Sequence, residues 1–107
     1  MNLKSKIGLG SVQFGLDYGI SNQNGKTTKD EVVKIINYAH SEGIDVIDTA
    51  IAYGDSEKVL GEVGVQRFKV VSKFLPEVEI GLSILEQFEK SLTDLNLKRL
   101  YAYLAHR

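Results

Sequence analysis

Short apolar runs alternate along the chain with segments in which apolar residues recur at helical spacing. The short runs predict four β-strands, at residues 7–10, 44–49, 68–74 and 100–106. The second run is β-branched and apolar apart from its aspartates, which is typical of a buried strand of a parallel sheet. The pattern therefore predicts a protein in which strands and helices follow one another in turn.

The first helix is predicted from a start signal, a periodic stretch and a stop signal. Thr28 and Glu31 have the spacing of a capping box, in which a hydroxyl and a carboxylate satisfy the first backbone N–H groups of a helix. Gly43 lies where a helix C-terminus favours a residue without Cβ. Between these signals apolar residues recur every three or four positions, at Val32, Ile35, Ile36 and Ala39.

Two more helices are predicted further along the chain. A short helix is predicted at 56–64. A longer one begins at a second capping box, formed by Ser83 and Glu86, and ends at Asn96. Its apolar stripe comprises Leu85, Phe88, Leu92 and Leu95. The polar, glycine-containing stretch 11–28 is predicted to be a loop.

Strands that alternate with helices imply right-handed crossover connections and a parallel α/β sheet. A doubly wound sheet and a (β/α)8 barrel of the TIM type both agree with this order of elements. The first strand and loop lack the G-x-G-x-x-G dinucleotide fingerprint, because they read Gly8-Leu9-Gly10-Ser11-Val12-Gln13. The sequence also has no P-loop motif, so the two commonest arguments for a doubly wound nucleotide-binding fold are missing.

Composition narrows the functional classes. The 107 residues suit a single domain, and a net charge of −1 with 25% charged residues gives no electrostatic reason to expect nucleic acid or an anionic membrane as a partner. The chain has no cysteine, which excludes a disulfide framework and a thiolate metal site, and no metal is expected. No apolar run approaches the roughly 20 residues of a membrane span, and the N-terminus does not resemble a signal peptide. These features predict a soluble, globular, cytoplasmic protein.

Polar side chains occur where the predicted strands end. Asp48 lies near the end of the second strand and Tyr53 follows it by five residues, while Lys73 and His106 lie at the ends of the third and fourth strands. The carboxyl ends of parallel strands meet at one edge of a sheet, where functional residues gather in α/β proteins. We therefore expect these four side chains to converge at a single site.

These residue types suit the reduction of a carbonyl group. Tyrosine is a protonated donor at neutral pH, and a neighbouring lysine ammonium makes it a better general acid toward a developing alkoxide. A carboxylate beside the lysine lowers the cost of burying its charge, and an imidazole can orient a carbonyl oxygen. Since no side chain supplies hydride, a nicotinamide cofactor is implied.

At these residues, and over essentially its whole length, the chain resembles the aldo-keto reductases. The stretch 48–61 looks like the family's D-T-A-x-x-Y-G-x-S-E-x-x-L-G signature, since it reads Asp48-Thr49-Ala50, Tyr53-Gly54, Ser56-Glu57 and Leu60-Gly61. The stretch 71–73 resembles the strand of the family's catalytic lysine, and 100–106 resembles the strand that carries its catalytic histidine.

The resemblance implies a role for each of the four residues. Tyr53 would be the general acid, and Lys73 the group that tunes it. Asp48 would pair with Lys73, and His106 would orient the substrate. The substrate would be a small-molecule aldehyde or ketone.

The resemblance also implies NADPH or NADH as cofactor. Ser11, Val12 and Gln13, together with Asp48, would lie near its nicotinamide end. The implied fold is a (β/α)8 barrel, which typically needs about 250 residues. With 107 residues the chain supplies only the first four βα strands. Residues 1–107 are therefore expected to form a single truncated domain, the N-terminal half of the barrel, with little or no activity alone.

Other interpretations stay open at this point. Each of the four residues has an ordinary structural role when taken singly, and only their joint position favours catalysis. Lys73 could be the Schiff-base nucleophile of a lyase in a similar barrel. The chain could also be a non-catalytic assembly module, because a half barrel has two exposed edge strands and an uncovered apolar face, which favour pairing of two copies as a homodimer.

Overall fold

The computed structural model describes residues 8–15 and 27–106, except for the side chain of Gln13. A sheet of four parallel strands runs through the described part of the chain. The strands are β1 (Gly8–Gly10), β2 (Val46–Asp48), β3 (Lys69–Phe74) and β4 (Ala102–Ala105). Each lies within its predicted run, so the four predicted strands are confirmed.

The order of the strands decides between the two α/β architectures. In a doubly wound sheet the strand order turns back on itself, as in 3-2-1-4. Here each strand is added beside the previous one, in the order β1-β2-β3-β4, so that the sheet winds in one direction. This is the winding of a (β/α)8 barrel, and the described residues form four of its eight strands, a half barrel.

Helices connect the strands. They are α1 (Val12–Gly15), α2 (Lys29–Ser41), α3 (Ser56–Val63), α4 (Glu77–Ile80) and α5 (Ile84–Leu95). α2, α3 and α5 confirm the predicted helices, whereas α1 and α4, of four residues each, are absent from the sequence prediction. Within residues 8–15 and 27–106, no helix is long and apolar enough to cross a membrane.

α1 corrects part of the predicted loop at 11–28, of which residues 16–26 lie outside the described part of the chain. The side chain of Phe14, in α1, is 4% exposed and belongs to the hydrophobic core. The Phe14 N–H donates to Ser11 O at 2.9 Å, which closes the helical turn. Such a turn is not apparent from a polar, glycine-rich sequence. Burial of one aromatic side chain in the core is enough to stabilise it.

The ends of the longer helices follow their capping signals. Thr28 Oγ1 accepts a hydrogen bond from Glu31 N–H at 3.3 Å, and Ser83 Oγ accepts one from Glu86 N–H at 3.1 Å. At Ser83 the capping box is complete, because the Glu86 carboxylate also accepts from the Ser83 N–H at 2.9 Å. Asn96 ends α5 in the left-handed conformation, with φ of 56°.

The hydrophobic core lies on one face of the sheet. Leu9, Ile47 and Val70 are aligned across β1, β2 and β3, and they pack beside the helices. The buried core residues from the helices and the loops are Phe14, Val32, Ile36, Leu60, Val65, Phe68 and Leu95. Val71 and Leu104 point to the other face of the sheet, because side chains alternate along a strand, and they lie outside the core. Leu104 is 51% exposed. The described sheet therefore leaves its inner, barrel-side face open.

The buried face of α5 is more polar than the predicted apolar stripe. The prediction that Leu85 belongs to this buried stripe is wrong. Leu85 is 65% exposed, whereas Gln87 and Ser91 are fully buried. Gln87 is buried because its amide bonds the Leu75 backbone twice, accepting from the N–H and donating to the carbonyl oxygen, each at 2.8 Å. A stripe of apolar residues does not reveal a polar side chain that satisfies buried backbone groups.

Gly61 sets how closely α3 and α5 approach. A Cβ at this position would overlap the backbone carbonyl of Asp94, which cannot move unless α5 moves with it. We expect Gly61→Ala to lower the free energy of unfolding by about 1–3 kcal/mol, the usual range for overpacking. Gly10→Ala is the control, since a Cβ there meets nothing within 4 Å. Urea unfolding followed by circular dichroism compares them, and equal stability would contradict the close approach.

Candidate active site

Asp48 and Lys73 reach the same edge of the sheet through the pairing of β2 with β3. Asp48 is the last residue of β2 and stands beside Val71 in the register. The chain keeps pairing with β3 beyond this point, because Thr49 N–H donates to Val71 O at 2.8 Å and Ile51 N–H donates to Lys73 O at 3.2 Å. The backbone ladder thus fixes the two side chains as neighbours.

Lys73 and Asp48 form an ion pair. Lys73 Nζ lies 2.6 Å from Asp48 Oδ1 and donates a second hydrogen bond, of 2.9 Å, to the backbone oxygen of Thr49. The Lys73 side chain is 15% exposed and that of Asp48 is 49% exposed. A largely buried ammonium is therefore paired with a carboxylate that still contacts water, which limits the cost of burying the cation. These acceptors use two of the three N–H donors of the ammonium.

Tyr53 and His106 complete the cluster. Lys73 Nζ lies 5.2 Å from the centroid of the Tyr53 ring, within the range of a cation–π contact. The Tyr53 and His106 rings meet edge to face, with centroids 5.7 Å apart and planes at 85°. His106 follows β4 directly, and its N–H donates to Phe74 O at 2.9 Å. The structure thus brings together the four side chains that the sequence predicts to converge.

The turn that carries Tyr53 is held from both sides. Tyr53 N–H donates to Ala50 O at 3.1 Å, and Ser56 N–H donates to Tyr53 O at 3.1 Å. Gly15 of α1 packs directly against this turn, and a Cβ there would overlap backbone atoms of Tyr53 and Ser56. Gly15 therefore contributes to the placement of Tyr53, because only a residue without a side chain allows α1 to approach so closely.

Buried hydroxyl groups lie beneath the cluster and join the first two strand ends to α3. Ser11 Oγ donates to the backbone oxygen of Asp48 at 2.8 Å. Ser56 Oγ lies 2.9 Å from Ser11 Oγ and 3.1 Å from Thr49 Oγ1. Ser11, Thr49 and Ser56 are all fully buried. Since a buried hydroxyl needs partners, these groups hold the ends of β1 and β2 at a fixed distance from the start of α3.

Glu57 is a buried carboxylate next to this network. Its side chain accepts from Ser72 Oγ of β3 at 2.6 Å and from Ser91 Oγ of α5 at 2.8 Å. The residue is 3% exposed, and burial raises the pKa of its carboxyl, although the two serine hydrogen bonds partly offset that rise. The carboxylate links α3, β3 and α5 at one point.

Tyr103 of β4 lies on the helix side of the sheet, where its ring contacts those of Phe74 and Phe88. Burial raises the pKa of Tyr103 to about 12, and the nearby charge of Glu57 acts in the same direction. Its hydroxyl has no hydrogen-bond partner among the described residues. Tyr103 is thus a packing residue that stays protonated, three positions before His106.

The residues predicted to contact the cofactor have different surroundings. Ser11 is fully buried and its hydroxyl is bound inside the protein, whereas the Asp48 carboxylate is about half exposed. Val12 and Gln13 are the first two residues of α1, which is separated from the end of β1 by one residue. Their contact with a cofactor stays a prediction.

Sequence reasoning missed the supporting residues Ser56, Glu57 and Ser72 as members of the site. The signals were present, since Ser56 and Glu57 belong to the motif that contains Tyr53, and Ser72 interrupts an apolar strand next to Lys73. Pattern alone did not show that Ser56 bonds Ser11 and Thr49, or that Ser72 bonds Glu57. Those contacts depend on how the start of α3 packs against the ends of β1 and β2 and against β3.

The arrangement suits proton donation to an oxygen atom. A phenol stands between a paired ammonium and an imidazole, on the open side of the sheet. His106 Nδ1 is buried and has no partner among the described residues. In the same residues, no three histidine, aspartate or glutamate side chains are grouped so that they could hold a metal ion. A phenol and an imidazole placed in this way have the residue types that general acid catalysis uses.

The raised pKa of Glu57 predicts a pH dependence of stability. Glutamate ordinarily titrates near pH 4.5, and the folded protein holds this proton more tightly. The stabilisation is fully present below that pH and is lost as the pH rises through the folded pKa. We expect the stability of the wild type to fall relative to Glu57→Gln over this range. Urea unfolding at a series of pH values measures the difference, and parallel profiles would contradict it.

Comparisons with known structures agree with this geometry. A Pseudomonas aeruginosa protein assigned to the aldo-keto reductases has 33% identity and a TM-score of 0.77, over 94% of this chain and 42% of that one. An aldo-keto reductase from Klebsiella pneumoniae in complex with NADPH has 28% identity and a TM-score of 0.70, over 92% of this chain and 34% of that one. The chain spans less than half of the length of these solved proteins.

Two comparisons of the sequence itself gave different results. No match was found among curated proteins. The family model described as Aldo/keto reductase family matches residues 6–107, nearly the whole sequence. The half-barrel winding and the grouping of Asp48, Tyr53, Lys73 and His106 agree with that match. This chain belongs to the aldo/keto reductase family.

Proposed function

We propose that the chain provides the proton-donating half of an NAD(P)H-dependent reductase of small-molecule aldehydes or ketones. The observation that carries this proposal is the placement of Tyr53 between the paired Lys73 ammonium and the His106 ring. Family membership supports the reaction class. The lyase alternative is less well supported, because Lys73 donates to Asp48 and Thr49 instead of presenting a free amine lone pair.

In the proposed reaction Tyr53 donates its phenolic proton to the carbonyl oxygen of the substrate. The Lys73 ammonium stabilises the phenolate that remains, and the Asp48 carboxylate holds that ammonium in place. His106 hydrogen-bonds the same carbonyl oxygen and orients it toward Tyr53. When bound, the reduced nicotinamide supplies the hydride that the carbonyl carbon accepts, so that the product is an alcohol.

The proposed cofactor is NADPH or NADH. The Klebsiella pneumoniae relative was solved in complex with NADPH, which supports a nicotinamide cofactor here. Ser11, Val12, Gln13 and Asp48 are proposed to lie near its nicotinamide end. In this arrangement the Ser11 hydroxyl holds the Asp48 backbone, since it already donates to that carbonyl oxygen. The expected cytoplasmic location stays a prediction.

Residues 1–107 are proposed to form the N-terminal half of a reductase barrel. The proton-donating residues lie on described strands and turns, and the solved relatives are more than twice as long. On this proposal the chain alone reduces carbonyl compounds weakly or not at all. Full turnover needs the remaining half of a barrel to bind the cofactor.

A chimera tests the proposed function. Residues 8–106 would replace the matching part of the Pseudomonas aeruginosa protein, and benzaldehyde reduction would be followed by the loss of NADPH absorbance. We expect turnover in the chimera, and a decrease of about 10²–10⁴-fold in kcat for Tyr53→Phe, the usual contribution of a general acid. The phenylalanine keeps the ring but removes the proton that Tyr53 would donate.

Tyr103→Phe is the control for that assay, because it removes a tyrosine hydroxyl on the helix side of the sheet, outside the cluster. It is expected to leave kcat nearly unchanged. A folded chimera that binds NADPH but gives equal rates with Tyr53 and with Phe at this position would contradict the proposal.

Assembly through the open face of the sheet is a second candidate function. β1 and β4 are the edges of the described sheet, and Leu104 is 51% exposed on its inner face. Edge strands and an uncovered apolar face favour pairing. The occupant that we propose is a second copy of this chain, whose own edge strands and open face would pair with those of the first.

Light scattering after size-exclusion chromatography tests the pairing. The wild type is expected to elute as a dimer, and Leu104→Lys as a monomer, because the charge would be buried in the shared face. Val78→Lys is the control, since Val78 is 95% exposed on α4, a helix outside the sheet. A wild-type monomer at all concentrations would contradict the assembly.

A further inference from the structure

We infer that Glu57 is a positioning residue which sets where Tyr53 stands relative to Lys73 and His106. The inference rests on the proposed role of Tyr53 as proton donor and names a residue through which that role is controlled. Glu57 itself lies on the helix side of the sheet and touches none of the three side chains directly. It acts through Ser72 and through the first turn of α3.

Two serine hydroxyls from different elements share the Glu57 carboxylate. Ser72 Oγ donates to one oxygen at 2.6 Å and Ser91 Oγ donates to the other at 2.8 Å. All three residues are buried, with Ser72 and Ser91 at 0% exposure and Glu57 at 3%. Each oxygen of the carboxylate is therefore tied to a different neighbour of α3, which fixes the rotation as well as the position of the helix start.

Both ends of this linkage lie next to the cluster. Ser72 immediately precedes Lys73 in β3, and the two side chains point to opposite faces of the sheet. Glu57 lies in the first turn of α3, four residues after Tyr53, whose carbonyl oxygen accepts from the N–H of Ser56. The bond between Glu57 and Ser72 thus connects the backbone segment of the phenol to the strand of the ammonium, across the sheet from the site.

The chemistry of this linkage is costly for a structural role alone. A buried carboxyl without a cation is unfavourable, and burial raises the pKa of Glu57. Among the described residues no lysine or arginine forms an ion pair with it. An apolar side chain of the same length would fill the space at less cost, but it could not hold two hydroxyls at fixed distances. What the carboxyl group adds here is accurate placement of the start of α3 relative to β3 and α5.

Nuclear magnetic resonance of the 107-residue chain tests the inference. The measured signals are the cross-peaks from the Tyr53 ring to the His106 ring and to the Lys73 side-chain methylenes. We expect both in the wild type, because the rings lie 5.7 Å apart and Lys73 Nζ lies 5.2 Å from the Tyr53 centroid. Glu57→Met keeps the length and removes both acceptors, so both cross-peaks should be lost. Glu57→Gln should restore them, since its amide can bond both serines.

Val59→Ala is the matched control for a merely structural effect. Val59 packs against the core from the same helix and has no part in the serine linkage. It should lower stability and leave both cross-peaks in place. Loss of the cross-peaks in Val59→Ala, or their survival in a folded Glu57→Met, would overturn the inference.

Ser91→Ala covers the case in which Glu57→Met does not fold. It removes one of the two hydrogen bonds to Glu57 and leaves the carboxyl in place. Weaker cross-peaks from Tyr53 are expected, and unchanged ones would overturn the inference. These contacts are measured without cofactor or substrate, so a failure of the proposed reductase function would appear in the turnover assay and not in this experiment.

Discussion

The buried ammonium group of Lys73 is the constraint on which the rest of the site depends. A lysine that is 15% exposed needs acceptors close at hand, and the Asp48 carboxylate at 2.6 Å and the Thr49 carbonyl at 2.9 Å provide them. Both acceptors come from the end of β2, so the cation can only be held if β2 and β3 keep their register. The parallel ladder between these strands is thus a requirement of the charge as well as of the sheet.

The helix side of the sheet supports this arrangement with neutral hydroxyls. Ser11, Thr49 and Ser56 are fully buried and bond one another or nearby backbone, so that α3 is tied to the ends of β1 and β2. Glu57 adds the tie from α3 to β3 and α5. Apolar packing alone sets distances loosely, since a methyl group can slide against its neighbours. Hydrogen bonds of defined length remove that freedom next to the turn that carries Tyr53, between β2 and α3.

Much of the fold was predictable, because periodicity and capping are local properties of the chain. The box of Ser83 and Glu86 and the left-handed Asn96 mark the ends of α5 in the sequence as they do in the structure. The four clustered residues were predictable too, since strand ends must share an edge in a parallel sheet. α1 and the burial of Gln87 were not, because both depend on contacts distant in sequence. The same holds for the bonds of Glu57 to serines 15 and 34 residues away.

The division between the two halves of a barrel also divides the proposed reaction. Asp48, Tyr53, Lys73 and His106 come from three adjacent strand ends and one turn, and each is held by contacts within the described residues. A side chain that donates a proton to a substrate oxygen needs only these local contacts to be held in place. In that proposal the hydride donor is a bound nicotinamide cofactor, which is far larger than a side chain and needs contacts along its length. On this proposal four βα units are enough to place the proton donor, whereas binding of the cofactor would also need the other half of a barrel.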